Sequence, residues 1–375
     1  DLGFFHDRVN LVVDWYQKVS KDMLMSLQLP SYMGTSGNVS SALAAPMGNY
    51  GDIENKGWEI SLNTHPLVGN FEWDSDFQIS FNKNKLRALD GTANAQIVGY
   101  GQWNDVVSVT NVGESLYNFY GYVCDGVYKD LEDLQTSAKP VKYPANGVFN
   151  RTNTVWVGDI KYKDLNGDGV IDENDRTNIG SPLPKFTYGW TNTFRYKNFD
   201  LSIFINGSYG NKVFNYLSMK LTHMNSPWSN QLTTVLDRAQ IVPINPNKDY
   251  SGGVLVNGTT VYNWYDDITN VRVANPDASI PRASVQDPND NDRVSDRYIE
   301  DGSYIRLKNI EIGYSLPQKW IQKAHLQQVR FYVQGMNLLT LDKLGDVNMD
   351  PETGDGDGSW YPIQKVYNFG VNVTF

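Results

Sequence analysis

The chain has 375 residues, 13% of them aromatic, with 32 Lys and Arg against 42 Asp and Glu for a formal charge of −10. With a mean hydropathy of −0.46 and no basic run, this composition gives no support to nucleic-acid binding. Cys124 is the only cysteine, which rules out an intrachain disulfide and any multi-cysteine metal cluster.

No stretch approaches the roughly 20 apolar residues of a membrane helix, and the start shows no secretory-signal pattern. Because the chain opens on Asp1 and Leu2, processing or an upstream segment is expected. Rings without overall hydrophobicity suit one large all-β unit of half-buried strands.

Period-two alternation carries the elements, taken here in chain order. The first runs from Val9 to Ser20, the second from Ile53 to His65. From Phe71, the residues Phe71, Trp73, Phe77, Ile79 and Phe81 fall on one face, and Glu72, Asp74, Asp76, Gln78, Ser80 and Asn82 on the other. Pro184 to Arg195 follows, then Phe199 to Gly207, where Phe199, Leu201, Ile203 and Ile205 oppose Asp200, Ser202 and Asn206. Tyr304 to Ser315, Val329 to Thr340 and Tyr361 to Phe375 complete a set of roughly eight strands. Each is near or above the ~9 to 11 residues that cross a bilayer when tilted.

The connections alternate between short and long. Short ones are expected at His6 and Asp7, Pro66 to Asn70, Tyr196 to Asn198 and Pro317 to Gln328, with a helical turn over Gln318 to Ala324. Long loops are expected over 21–52, 85–183, 211–303 and 341–360. Tight periplasmic turns and large extracellular loops are the habit of transmembrane antiparallel β-barrels. Parity keeps the alternation only if the strand-like stretch Tyr117 to Tyr128 is a hairpin inside an extracellular loop. The last strand sets Tyr367, Phe369, Val371, Val373 and Phe375 against Asn368, Gly370, Asn372 and Thr374; a plain sheet edge of a soluble domain would read similarly.

Asp164, Asn166, Asp168, the Val170 carbonyl, Asp172 and Asp175 take positions 1, 3, 5, 7, 9 and 12 of a twelve-residue calcium loop, with Gly169 at the turn. Hard Ca²⁺ needs six to eight oxygens, which alternate carboxylates around a glycine supply. Asp175 stands where the usual pattern has Glu, a shorter arm for bidentate binding; the plainer reading is a solvated acidic turn. A second acidic run, Asp346, Asp350, Glu352, Asp355 and Asp357, lacks ligand spacing and reads as a mobile acidic loop. His6, His65, His223 and His325 are far apart in sequence, without zincin or triad spacing, and no catalytic motif is present. Trp103, Trp228, Trp264, Tyr265, Trp360 and Tyr361 fall in the long loops, where rings can stack on sugar or peptide ligands or simply pack the loops and a partner.

Several stretches resemble the SusC/RagA family of TonB-dependent outer-membrane transporters. They are GDIKYKDLNGDGVIDENDRTNIG at Gly158 to Gly180, TYGWTNTFRYKNFDLSIFINGSYGN at Thr187 to Asn211, and FYGYVCDGVY at Phe119 to Tyr128. IPRASVQDPNDNDRVSDRYIEDGSYIRLKNIEIGYSLP at Ile280 to Pro317 and MNLLTL at Met336 to Leu341 extend the likeness over essentially the whole chain. The resemblance implies the C-terminal part of a barrel of about 22 strands, with Asp1 to Phe5 ending a preceding strand. It implies a plug and TonB-contacting region that this sequence does not show. It also implies a SusD-like surface lipoprotein as a lid, an oligosaccharide or peptide as cargo, and a terminal strand similar to the signal read by the barrel-assembly machinery. Two readings stand beside energy-coupled import: a passive surface-binding or adhesive barrel, and a secreted, calcium-stabilised β-rich glycan-binding protein or hydrolase.

Overall fold

The computed structural model describes residues 1–26, 47–89, 95–101, 105–225, 228–344, 349–352, 361 and 363–375, with backbone alone at 324. Nine antiparallel strands form one continuous path: β1 (Leu2–Phe4), β2 (Val9–Ser20), β3 (Asp52–Leu67), β4 (Phe71–Ala88), β5 (Phe186–Tyr196), β6 (Phe199–Tyr209), β7 (Ile299–Ser315), β8 (Gln328–Lys343) and β9 (Val366–Thr374). Each pairs with its neighbours in sequence order, and the short strand Lys212–Phe214 adds to β7. The eight expected strands are all present, and Leu2–Phe4 pairs with β2 as the end of a further one.

Register puts the alternation to work. Phe71, Tyr196, Phe199, Tyr314 and Phe331 stand opposite one another in one row across β4 to β8. A second row crosses β2 to β6: Trp15 faces Trp58, Trp58 faces Phe81, and Phe186 faces Tyr209, with the Phe81 and Phe186 rings 5.6 Å apart. The rows lie about ten residues apart along β4, β5 and β6. At ~3.3 Å per residue and a tilt of ~40°, that is a band of about 25 Å, the height of the apolar belt between the aromatic girdles of an outer-membrane barrel. Ile60, Leu62, Ile79, Phe77, Leu201, Ile203, Ile310 and Ile312 fill the band on the same face. A globular core would bury such rings, yet Trp58 is 50% exposed and Phe199 56%.

The opposite face is polar and internally paired. Arg330 on β8 donates to Asp200 on β6 and to Glu311 on β7, and Arg195 reaches Asp74 at 2.6 Å. Strand glycines on this face serve close approach. The Tyr332 ring lies over Gly370 of β9, where a Cβ would come within 2.4 Å of ring carbons.

The strands outlast the band at the long-loop end, and there they carry a cap. Asn84 of β4 accepts from Ser115 Oγ and the Leu116 amide, and Leu86 exchanges backbone hydrogen bonds with Gly113 and Glu114. The cap has its own core, drawn from two of the long loops: Val127, Leu134, Trp156 and Ile171 of 85–183 pack with Ala239, Ile268, Val271 and Val273 of 211–303. A smaller cluster of Phe214, Tyr216, Met219, Val294 and Tyr298 joins cap to wall.

Two sequence expectations are corrected here. Tyr117 to Tyr128 is no hairpin: Phe119–Gly121 pairs with Thr177–Gly180 and with Val106–Asn111, whereas Cys124–Val127 pairs with Ile160–Tyr162. Partners distant in the chain outcompeted the local turn, because they close the cap core. The acidic run at 346–357 is not wholly loose either. Asp350 and Glu352 grip Arg306 on the inner face of β7, Asp350 through both oxygens at 2.7 and 2.8 Å, while Glu352 also pairs with Lys308. Asp346, Asp355 and Asp357 lie outside the described residues.

Candidate functional site

The acidic loop 164–175 is held by its own backbone. Asp164 accepts from the Gly167 and Gly169 amides at 2.6 and 2.8 Å, and both glycines have positive φ, +77° and +82°, which most side chains would resist. Asn166 and Asp168 accept from the amides two residues on. Asp172 caps a short 3₁₀ turn, and Asp175, fully buried, accepts from the Leu165 and Asp172 amides. The donor set is all oxygen and fits a hard cation, though in this arrangement no three of its carboxylates converge within 4.8 Å.

The convergent trio among the described residues is one the sequence hid. His223, capping the helix Tyr216–Thr222, puts Nε2 2.8 Å from Asp287 and Nδ1 3.0 Å from Asp292. Burial alone would lower its pKa, but the two carboxylates outweigh burial and lift it to about 9. An imidazolium clamped on both sides ties the helix to the segment at 287–292. The only sequence hint was the density of Asp and Asn at 287–292; nothing linked it to a histidine about sixty residues earlier. From there hydrogen bonds run inward. Asn291 donates to Asp287 and Asp159, and Arg282 donates to both oxygens of Asp159 at 2.7 and 3.2 Å. Arg282 and Asp159 are 5% and 0% exposed, so this is a buried ion pair with its remaining lone pairs satisfied.

The loop aromatics are not gathered in one place. Trp264 packs against the cap core, and Tyr265 meets it edge-on at 5.7 Å. Tyr265 also carries Arg151 over its ring at 5.0 Å. Together with Trp156, Arg238, Gln240 and Arg282, these two line a cavity of about 480 Å³. Trp228 and Tyr361 are almost fully exposed; Trp103 and Trp360 lie outside the described residues. In β9, Tyr367, Phe369, Val371 and Val373 all face outward, and Phe375 ends the chain beside them.

A wall with an apolar band between two aromatic rows, a polar inner face and a folded cap defines a segment of an outer-membrane β-barrel. The comparisons with known proteins agree. Two TonB-dependent receptors of Formosa agariphila are 30% and 31% identical to the chain over its whole length, which covers 33% and 34% of theirs. The TonB-dependent receptor SusC of Bacteroides thetaiotaomicron is 25% identical over the full chain and 31% of its own length. The solved structure of the RagAB peptide transporter superposes with a TM-score of 0.65 at 19% identity, covering the full chain and 34% of that one. No family model matches.

The chain is thus a relative of the SusC-like TonB-dependent receptors, spanning about a third of the length of the curated relatives it matches. Such barrels reside in the outer membrane and are receptors and transporters, not enzymes. The secreted-protein reading fails on the same grounds.

Proposed function

We propose that the whole protein, of which this chain is one part, imports a polar ligand across the outer membrane under TonB drive, and that the cap faces the outside. The two aromatic rows bounding a band of about 25 Å support the membrane reading most directly, and likeness over the whole of this chain to about a third of each TonB-dependent receptor supports the transport reading. The ligand is an oligosaccharide or a peptide, and a SusD-like lipoprotein sits over the cap. The cavity at Tyr265, Arg151 and Arg238 is the first candidate for a ligand contact, because it combines a ring face with guanidinium donors. Trp103, Trp228, Trp264, Trp360 and Tyr361 remain candidates for ligand or lid contact. A plug region and TonB complete the machine, and the β9 strand through Phe375 is the segment offered to the barrel-assembly machinery.

Removing the gene should abolish growth on the ligand, and depleting TonB should stop uptake while leaving surface binding. Uptake undiminished by TonB loss would favour the passive surface-binding barrel instead. Copurification under mild detergent tests the lid: a barrel recovered without any companion lipoprotein would remove it.

The loop 164–175 is further proposed to take one Ca²⁺ through Asp164, Asn166, Asp168, the Val170 carbonyl, Asp172 and Asp175, fixing the cap rather than reacting. A Kd of about 10⁻⁴ to 10⁻³ M is usual for extracellular sites of this type. Chelator should then raise protease cleavage within 85–183, and the double variant D164A/D168A should cleave equally with or without calcium. Unchanged calcium binding by that variant would rule the loop out.

A further inference from the structure

The outward face of β2, β3 and β4 changes chemistry at the second aromatic row. Beyond Trp15, Trp58 and Phe81, two residues along each strand and so about 7 Å further, the next outward row is Gln17, Lys56 and Lys83, and the one after it is Val19, Glu54 and Lys85. Lys56 and Lys83 are exposed and directly opposite, an arrangement in which like charges repel. The nearby carboxylate relieves them only in part, because it is engaged first by other groups and acts on Lys56 without direct contact. Glu54 is 1% exposed, held by Arg87 at 2.6 Å and by Gln17. Lys56, Lys83 and Lys85 make no ion pair among the described residues.

Three ammonium groups without a direct ion-pair partner among the described residues therefore stand just outside the apolar band, on the side that meets lipid, at the height of the headgroups. A lumenal ligand could not reach them, since the sheet lies between. What fits is a lipid with phosphate monoesters on its headgroup: two negative charges per phosphate answer the facing lysines, and the acyl chains lie along the Trp15, Trp58 and Phe81 rings. A zwitterionic headgroup fits less well, because its own cation meets the same lysines.

We propose that Lys56, Lys83 and Lys85 form a docking surface for the phosphate groups of a phosphorylated glycolipid in the outer leaflet. This rests on the reading that the cap end faces outside. Lysine suits the task, being a point charge on a flexible stem that follows a mobile headgroup.

The test uses the full-length protein extracted from its own membrane in mild detergent, with retained lipid quantified by mass spectrometry. Wild type and K56R/K83R/K85R should retain the phosphorylated glycolipid, and K56Q/K83Q/K85Q should lose it by about tenfold or more. Inorganic phosphate at high concentration should displace the lipid from wild type and the Arg variant alike, whereas equal retention by the Gln variant overturns the proposal. Orientation is checked separately by labelling a cysteine placed at exposed Ser251 on intact cells. Labelling without glycolipid retention sinks the docking surface alone, whereas retention of glycerophospholipid with no labelling sinks the outward orientation on which it rests.

Discussion

The wall and the cap solve opposite problems with the same chain. In the wall, backbone groups are satisfied strand to strand and the large side chains face outward, so Phe199, Ile312 and Phe369 remain exposed within the chain itself. In the cap, Trp156, Val127, Leu134 and Ile171 are essentially inaccessible, and even charge is buried, as at Asp159 and Arg282. The wall therefore depends on its solvent being lipid, while the cap depends on its own interior. Changes in one should leave the other standing.

The largest effect is expected in the cap. Replacing Asp159 by Ala strands Arg282 in the interior and removes the acceptor of the Trp156 amide, a loss of about 3 to 5 kcal/mol. Limited proteolysis should then open the loops 85–183 and 211–303 while the barrel still resists heat in detergent; barrel loss in the same variant would show that wall and cap do not fold separately.

Next in size is a wall substitution. Ile203 lies between the two aromatic rows and faces Asn192 and Ile310, so Ile203→Arg should cost about 2 to 4 kcal/mol. Membrane-inserted yield and urea midpoint in lipid would register it, whereas the neighbouring inner-face change Ser202→Arg should register far less.

The cap should also respond to alkali. His223 has its folded pKa raised to about 9 against about 6.5 for a free histidine. Its contribution is complete below pH 6.5 and is lost as pH rises through 9, worth at most about 3 kcal/mol. Cleavage of the 211–298 segment should rise over that window, and His223→Gln should flatten the response. A variant that keeps the full pH dependence would remove the clamp from the account.

Smaller again is the joint at the last strand. Gly370→Ala forces the Tyr332 ring aside, at a cost of about 1 to 3 kcal/mol, and should slow assembly. Tyr332→Ala in the same background should recover part of it.

The same comparison explains what could be read in advance. The wall was legible because its period is local: Phe71, Trp73, Phe77, Ile79 and Phe81 declare their face without reference to any other strand, and the one-residue register follows from the pattern. A girdle place for single strand rings such as Trp58 could be expected, but the two full aromatic rows exist only once β2 to β8 are placed side by side. The cap was least legible. Its short strands pair over distances such as Cys124 with Tyr162, and the clamp joins His223 to Asp287 and Asp292, contacts that leave no periodicity. Asp350 and Glu352 read as loose charge because their partner, Arg306, lies on a strand more than forty residues earlier.

The central claim is that alternate residues of the wall meet lipid and water. Spin labels placed singly along β6 at Phe199, Asp200, Leu201, Ser202, Ile203, Ile205 and Asn206 in the reconstituted full-length protein test it most directly, through collision with oxygen and with a water-soluble nickel chelate. The account predicts high oxygen and low nickel accessibility at Phe199, Leu201, Ile203 and Ile205, and the reverse at Asp200, Ser202 and Asn206. Accessibility that fails to alternate, or oxygen access highest on the polar face, would contradict it.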